Sequence, residues 1–112
     1  MASGSFAKLL TNEEYKQKVE HSVEPVVVTF LSPLDDKCKA IVSKIEELRN
    51  EFTTVKFYQV DVRKHAMLSS ALLNTKLPVI VFVKNGVDLL TLGSDVSLSS
   101  IREGLQALQM AS

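Results

Sequence analysis

The spacing of apolar residues changes along the chain between that of a strand and that of a helix. The segment VVVTFL at 26–31 is almost continuously apolar and mostly β-branched, which is typical of a strand covered on both faces. After it, apolar residues recur every three or four positions, which predicts a helix with one buried face. The residues of that predicted face are Cys38, Ile41, Val42, Ile45, Leu48 and Phe52.

The first predicted helix begins at Thr11 and runs to about His21. Thr11 and Glu14 have the spacing of a capping box, in which side chains accept the free backbone N–H groups of a helix start. Leu10 and Tyr15 have the positions of a hydrophobic staple around that cap. The local sequence therefore predicts a helix start at Thr11.

The same two periodicities predict the other elements. FAKLL at 6–10 indicates a short strand, VKFYQVDV at 55–62 an alternating strand, and residues 64–73 a short helix. Ser97 is predicted to cap the last helix. The apolar face of that helix consists of Leu98, Ile101, Leu105 and Leu108.

The clearest local signal is a hairpin near the end of the chain. PVIVFV at 78–83 and VDLLTL at 87–92 are separated by Lys84 and an Asn-Gly pair at 85–86. Asn-Gly between two apolar strands favours a two-residue type I′ turn, because both central residues of that turn need positive φ. These residues therefore predict two antiparallel strands.

The predicted order of elements is β-α-β-α-β-α-β-β-α, which is an α/β fold. Strands joined through helices pair in parallel, and the hairpin adds an antiparallel edge. We therefore expect a mixed central β-sheet flanked by helices on both faces. The length of 112 residues fits one domain over 1–112, with residues 1–5 as a flexible N-terminus.

Charge and hydropathy exclude several classes of protein. Thirteen basic residues balance thirteen acidic ones, so no overall field would attract nucleic acid or an anionic membrane. No apolar run approaches the ~20 residues of a membrane span. The N-terminus also lacks the charged segment and apolar run of a secretory signal. We therefore expect a cytoplasmic protein that binds neither nucleic acid nor a membrane.

The side chains that could bind a cofactor are few. Cys38 is the single cysteine, and one thiol forms neither an internal disulfide nor a thiolate metal site. His21 and His65 are far apart in sequence and are expected to be surface or packing residues. We therefore expect no metal and no other cofactor.

Taken in order, these segments resemble thioredoxin from Phe6 to Leu108. That family has an apolar strand, a W-C-G-P-C-K motif that opens a long helix, and a V-D-V strand. It then has a cis-proline before an apolar strand, a K-N-G hairpin and a late glycine. Here PVVVTF matches the first strand, LDDKCK at 34–39 the motif, and LPVIVFVKNG at 77–86 the proline and hairpin. The resemblance implies the thioredoxin fold, with a cis bond before Pro78.

The redox motif of the family carries over only in part. Asp35 stands where the family has its nucleophilic cysteine, and Cys38 stands at the second cysteine. Leu34 corresponds to the tryptophan, Asp36 to the glycine and Lys37 to the proline. The resemblance thus implies a thioredoxin active-site loop without its attacking thiol.

Other residues of the redox machinery also differ. The buried acid that assists proton transfer in the family corresponds to Thr29, and the lysine near that acid corresponds to Gln59. The proline that kinks the helix after the motif corresponds to Ser43. The positions retained from the scaffold of the family are Pro78, Asn85, Gly86 and Gly93.

The carboxylates near the predicted helix start have two physical effects. Asp35 or Asp36 is expected to be the N-cap, which stabilises a helix by about 0.5–2 kcal/mol. Negative charge and burial should both raise the pKa of the Cys38 thiol. Cys38 is then either an unreactive core residue or a slowly reacting thiol, with Lys37 and Lys39 offsetting part of the negative charge.

The sequence favours a thioredoxin-like protein that lacks, or nearly lacks, dithiol-disulfide reductase activity and acts by binding a peptide or protein. In the family, the backbone before the cis-proline pairs with bound peptide. The resemblance implies a binding surface framed by 33–37, 76–78 and 92–94, although this surface could equally be the exposed end of a stable fold. The candidate binding residues are Leu34, Asp36, Lys37, Leu77, Pro78 and Gly93.

Two other functions stay open at this point. The chain could be a single-thiol oxidoreductase in which Cys38 forms mixed disulfides with glutathione or a partner protein. It could also form a homodimer through Cys38, which requires that thiol to be exposed. Fast reaction of Cys38 with a thiol reagent in the folded protein would favour the oxidoreductase or the dimer. Reaction only on unfolding would favour the binding protein.

Overall fold

The structure, a computed structural model, describes residues 7–8, 11–32, 34–64, 76–93 and 95–110. The predicted helix at 64–73, apart from Lys64, lies outside these residues, as do the predicted N-terminal segment 1–5 and the staple residue Leu10. The elements are β1 (Ala7–Lys8), α1 (Asn12–Tyr15, continued by a π-helical turn Lys16–Glu20), β2 (Val26–Leu31), α2 (Asp36–Arg49), β3 (Lys56–Asp61), β4 (Val79–Lys84), β5 (Val87–Leu92) and α3 (Leu98–Met110).

The five strands form one mixed sheet in the order β1-β3-β2-β4-β5. A helix joins β1 to β2 and another joins β2 to β3, so these three strands run in the same direction. β3 accordingly pairs in parallel with both β1 and β2. β4 runs antiparallel to both β2 and β5. This arrangement confirms the predicted mixed sheet with an antiparallel edge.

The core lies on both faces of the sheet. β2 is paired on both sides and buried along its whole length, as its continuous apolar sequence predicts. Val27 and Phe82 pack with residues of α2 and α3, whereas Val28 and Val81 pack on the opposite face with Val19 of the π-helical turn. Helices therefore cover both faces, which confirms the predicted layers.

Side-chain caps start the helices where the sequence predicts. Thr11 has extended backbone angles, and its Oγ1 accepts the N–H of Glu14 at 3.0 Å. Ser97 Oγ accepts the N–H of Ser100 at 3.1 Å in the same way. Both caps satisfy backbone donors that have no partner within the helix.

The β4–β5 hairpin turns at Asn85 and Gly86, whose φ values are 53° and 75°. Two positive φ values are what a type I′ turn requires, so the predicted turn is confirmed. One feature of the hairpin was not predicted. Val83 pairs with Asp88 but Phe82 pairs with Leu90, which leaves Leu89 as an extra residue in a bulge of β5.

Candidate functional site

The segments that the resemblance assigns to a binding surface come together at one end of the sheet. Phe30, near the end of β2, pairs with Val79, the first residue of β4. Ile80 pairs in turn with Leu92, the last residue of β5. Residues 34–37, residues 76–78 and Gly93 therefore adjoin the same end of three neighbouring strands, and we call them the site edge. Pro33 and Ser94 lie outside the described residues.

Asp35 is the N-cap of α2. Its Oδ1 accepts the N–H of Lys37 at 2.8 Å and that of Cys38 at 3.3 Å. The sequence left Asp35 and Asp36 as alternatives, and the structure selects Asp35, with Asp36 as the exposed first residue of the helix. A carboxylate thus satisfies backbone donors at the positive end of the helix dipole.

Cys38 lies in the first turn of α2 with its side chain turned inward. It is only 2% exposed, and the N–H of Ser32 donates to its Sγ at 3.4 Å. That contact joins the end of β2 to the start of α2 and was not predicted. Covalent dimerisation through Cys38 needs an exposed thiol, and this side chain does not provide one.

The surroundings of Cys38 favour the protonated form of its thiol. Burial raises the pKa of the thiol, the N–H of Ser32 opposes that rise, and the negative charge of Asp35 adds to it. The Cys38 thiol therefore ionises at a lower pH in the unfolded chain than in the folded protein. At pH values below the ordinary pKa of cysteine, the protonated thiol contributes its full stabilisation to the fold. That contribution is lost as the pH rises through the folded pKa.

We expect Cys38 in the folded protein to react with a thiol reagent at least about 100-fold more slowly than in the unfolded chain. The reagent must wait for the first turn of α2 to open, and the raised pKa further lowers the thiolate fraction. Stopped-flow labelling near neutral pH, with and without denaturant, measures the ratio. Equal rates in the two conditions would show that Cys38 is accessible in the fold.

The candidate binding residues differ in how much of each side chain faces solvent. Leu34 is 73% exposed, and Asp36 and Lys37 are also exposed. Leu77 is half-buried against the core, and Pro78 is buried, so the side chain of Pro78 is closed to a partner. The Leu77–Pro78 peptide bond is cis.

Gly93 differs from the other glycines that the structure describes. It is exposed, and a Cβ added to it would meet no atom within 4 Å. Its backbone also lies outside the region that only glycine adopts easily. The fold itself therefore does not require glycine at this position.

The protein-family model described as Thioredoxin matches residues 6–107. The chain belongs to the thioredoxin family.

Its relatives in the family include two thioredoxins of Aspergillus fumigatus. The chain is 34% identical to thioredoxin Asp f 28 over 62 residues, which is 55% of this chain and 57% of that protein. It is 29% identical to thioredoxin Asp f 29 over 86 residues, covering 75% and 78% of the two. The chain thus matches little more than half the length of the first of these relatives.

Solved thioredoxins share the fold of the chain. Thioredoxin from Trypanosoma brucei brucei superposes with a TM-score of 0.84 at 22% identity, over 97% of this chain and 95% of that one. The superposition and the sheet order together show the thioredoxin fold.

The two positions that the resemblance matches to the family's buried acid and nearby lysine carry no ionisable group here. Thr29 is fully buried in the centre of β2, and it pairs in register with the half-buried Gln59 of β3. Neither side chain can hold or release a proton near neutral pH. Ser43, where the resemblance placed a helix-kinking proline, is exposed within a continuous α2.

An ion pair between Asp61 and Arg63 lies at the same end of the sheet and was not predicted from the sequence. Asp61 pairs in register with Leu31. The Asp61 carboxylate accepts hydrogen bonds from the backbone N–H of Arg63 at 3.0 Å and from the Arg63 guanidinium, through Nη2, at 3.2 Å. Burial raises the pKa of Asp61, but the hydrogen bonds from Arg63 outweigh it and hold that pKa below its ordinary value. The Asp-x-Arg spacing is the only sequence signal for this turn.

Two further observations concern the described residues alone. These residues contain no group of three or more His, Cys, Asp or Glu side chains placed to hold a metal ion. They also contain no helix that combines the length and the apolar character needed to cross a membrane.

Proposed function

We propose that this thioredoxin-family protein binds an extended segment of a partner protein at the site edge and does not reduce disulfides. One observation carries the proposal: a carboxylate caps α2 at the position that the resemblance matches to the family's attacking thiol, and the single thiol behind it is 2% exposed. The protein would then use the family's scaffold for recognition. Its free thiol suits a reducing compartment, and we propose the cytoplasm.

Dithiol reduction requires two thiols that act in turn. A thiolate attacks one sulfur of the substrate disulfide, and a second thiol resolves the mixed disulfide and releases the reduced substrate. Asp35 has no sulfur to form that intermediate. Cys38 would have to break its contact with Ser32 before it could meet a substrate disulfide.

The site edge retains features that suit an extended peptide. The backbone at Leu77 precedes β4 at the end of the sheet, where the resemblance implies pairing with a bound strand. Leu34 offers an exposed apolar side chain at the same end of the sheet, and Gly93 leaves room for close approach of another backbone. The exposed charges of Asp36, Lys37 and Lys76 adjoin these apolar positions, as in the polar rim of many interfaces.

We expect Leu34→Lys to weaken peptide binding at least about tenfold, because it places a charge in the apolar centre of the proposed interface. Random linear peptides displayed on phage are selected on the native protein. Titration calorimetry then measures the Kd of synthetic copies of the enriched peptides for each variant.

Val23→Lys is the matched control. Val23 is 74% exposed, like Leu34, but it precedes β2 at the opposite end of the sheet. The proposal predicts that this variant binds the enriched peptides as the native protein does. Equal losses in both variants, or undiminished binding by Leu34→Lys, would place the peptide elsewhere.

A further inference from the structure

One hydroxyl in the centre of the protein has no hydrogen-bond partner among the described residues. Thr29 has 0% of its surface exposed, and its Oγ1 accepts or donates no hydrogen bond among the residues that the structure describes. Burying an unpaired hydroxyl costs folding free energy, so native proteins pair such groups with other side chains, backbone or ordered water.

The neighbouring backbone does not pair with this hydroxyl among the described residues. β2 lies between β3 and β4 and is paired on both sides, so its neighbours already use their N–H and C=O groups in the sheet. On the β4 side, the residue in register with Thr29 is Ile80, which is apolar and fully buried. The β4 side thus offers no polar side chain in register with Thr29, which leaves the β3 side and the layer between the sheet and α2.

Gln59 is the polar side chain on that side. It is in register with Thr29 on the neighbouring strand, so the two side chains extend from the same face of the sheet. Neighbouring strands lie about 4.8 Å apart, and the amide of Gln59 offers both donors and an acceptor. The structure shows no direct hydrogen bond from this amide to Thr29 Oγ1.

We propose that one ordered water molecule binds between Thr29 Oγ1 and the side-chain amide of Gln59, on the face of the sheet that packs against α2. The hydroxyl and the amide supply the hydrogen-bond partners that hold a buried water in place. These residues stand where the resemblance implies a buried acid and a lysine. A neutral, hydrated pair would thus replace a charged pair beneath the helix that carries Cys38.

The test is a crystal structure of the native protein at a resolution that shows ordered solvent, with Thr29→Val and Gln59→Leu compared under the same conditions. We expect a water peak within hydrogen-bond distance of both side chains in the native protein, and its loss in Thr29→Val. A direct Gln59–Thr29 hydrogen bond, or a dry site, would overturn the proposal.

Thermal unfolding gives an independent measurement. If the water is bound, Thr29→Val removes one of its anchors and lowers the Tm. If the hydroxyl is buried dry and unpaired, the same isosteric change raises the Tm. Thr91→Val makes the same chemical change at an exposed position of β5, and it is the control for the substitution itself.

Discussion

Asp35→Cys is expected to give this protein a disulfide-reductase activity that, on the proposed function, the native chain does not have. In an insulin-reduction assay with dithiothreitol, we expect the native chain to add nothing to the rate given by the reductant alone. The variant is expected to add a clear, concentration-dependent rate. The two thiols would then stand three residues apart on one face of a helix start, which is the spacing that the family uses.

The environment of position 35 suits a thiolate. The N–H groups of Lys37 and Cys38, which now bond the carboxylate of Asp35, would bond an introduced sulfur at the positive end of the helix dipole. A fall in thiol pKa from about 8.5 to about 7 raises the thiolate fraction at pH 7 from about 3% to about half. Thr29 and Gln59 provide no acid or base, so the rate should stay below that of a complete thioredoxin.

The chemistry of the variant can be followed step by step. The introduced thiolate attacks the substrate disulfide and releases one substrate thiolate. The Cys38 sulfur then attacks the mixed disulfide and releases the second, which leaves the protein oxidised until dithiothreitol reduces it. The double variant Asp35→Cys with Cys38→Ser should form the mixed disulfide but not turn over.

Asp36→Cys is the matched control for position. It places a thiol one residue further on, at an exposed site that is not the N-cap. We expect little turnover from it. An inactive Asp35→Cys that is folded would show that Thr29, Gln59 or the loop prevents the chemistry, and turnover by the native chain would contradict the proposed function directly.

Gly86→Ala is expected to lower the free energy of unfolding by about 2–4 kcal/mol. The backbone of Gly86 has φ of 75°, which costs a residue with a side chain. An added Cβ would also lie 2.3 Å from the backbone carbonyl oxygen of Glu20, which cannot move aside as a flexible side chain would. The turn would have to shift away from the end of the π-helical segment.

Chemical denaturation monitored by circular dichroism measures this loss. Gly93→Ala is the control, because its added Cβ meets no atom within 4 Å and its backbone is not in the glycine-favoured region. It should leave stability within about 0.5 kcal/mol of the native value or raise it slightly. Equal effects of the two substitutions would show that loss of glycine, and not the contact with Glu20, is what matters.

Much of the fold could be predicted because its signals are local. The Asn85–Gly86 turn follows from which residues tolerate positive φ, and the Thr11 cap follows from a side chain that bonds a backbone donor three residues away. The continuous apolar run of β2 indicates burial on both faces. Each of these three signals depends on only a few consecutive residues, and the structure confirms all three.

The bulge at Leu89 and the choice of Asp35 over Asp36 as N-cap were harder to predict. A bulge depends on how β5 fits β4, and the alternating pattern of one strand does not show where an extra residue enters. Two adjacent carboxylates are nearly equivalent as caps in sequence. The path of the loop from β2 decides between them: the Asp35 N–H donates to the carbonyl of Ser32 at 3.0 Å.

The sequence by itself determined that this protein has one thiol, and that its strands and helices follow the order of a thioredoxin; the resemblance placed a carboxylate at the position of the family's nucleophile. Tertiary structure decided what surrounds those groups. Only the folded chain buries Cys38 beside the N–H of Ser32 and places Gly86 next to the carbonyl of Glu20. Only the folded chain, too, leaves Thr29 Oγ1 unpaired among the residues that the structure describes. The physical reason is that burial and hydrogen bonding depend on distances in space between segments that may lie far apart in sequence, and no local pattern encodes those distances.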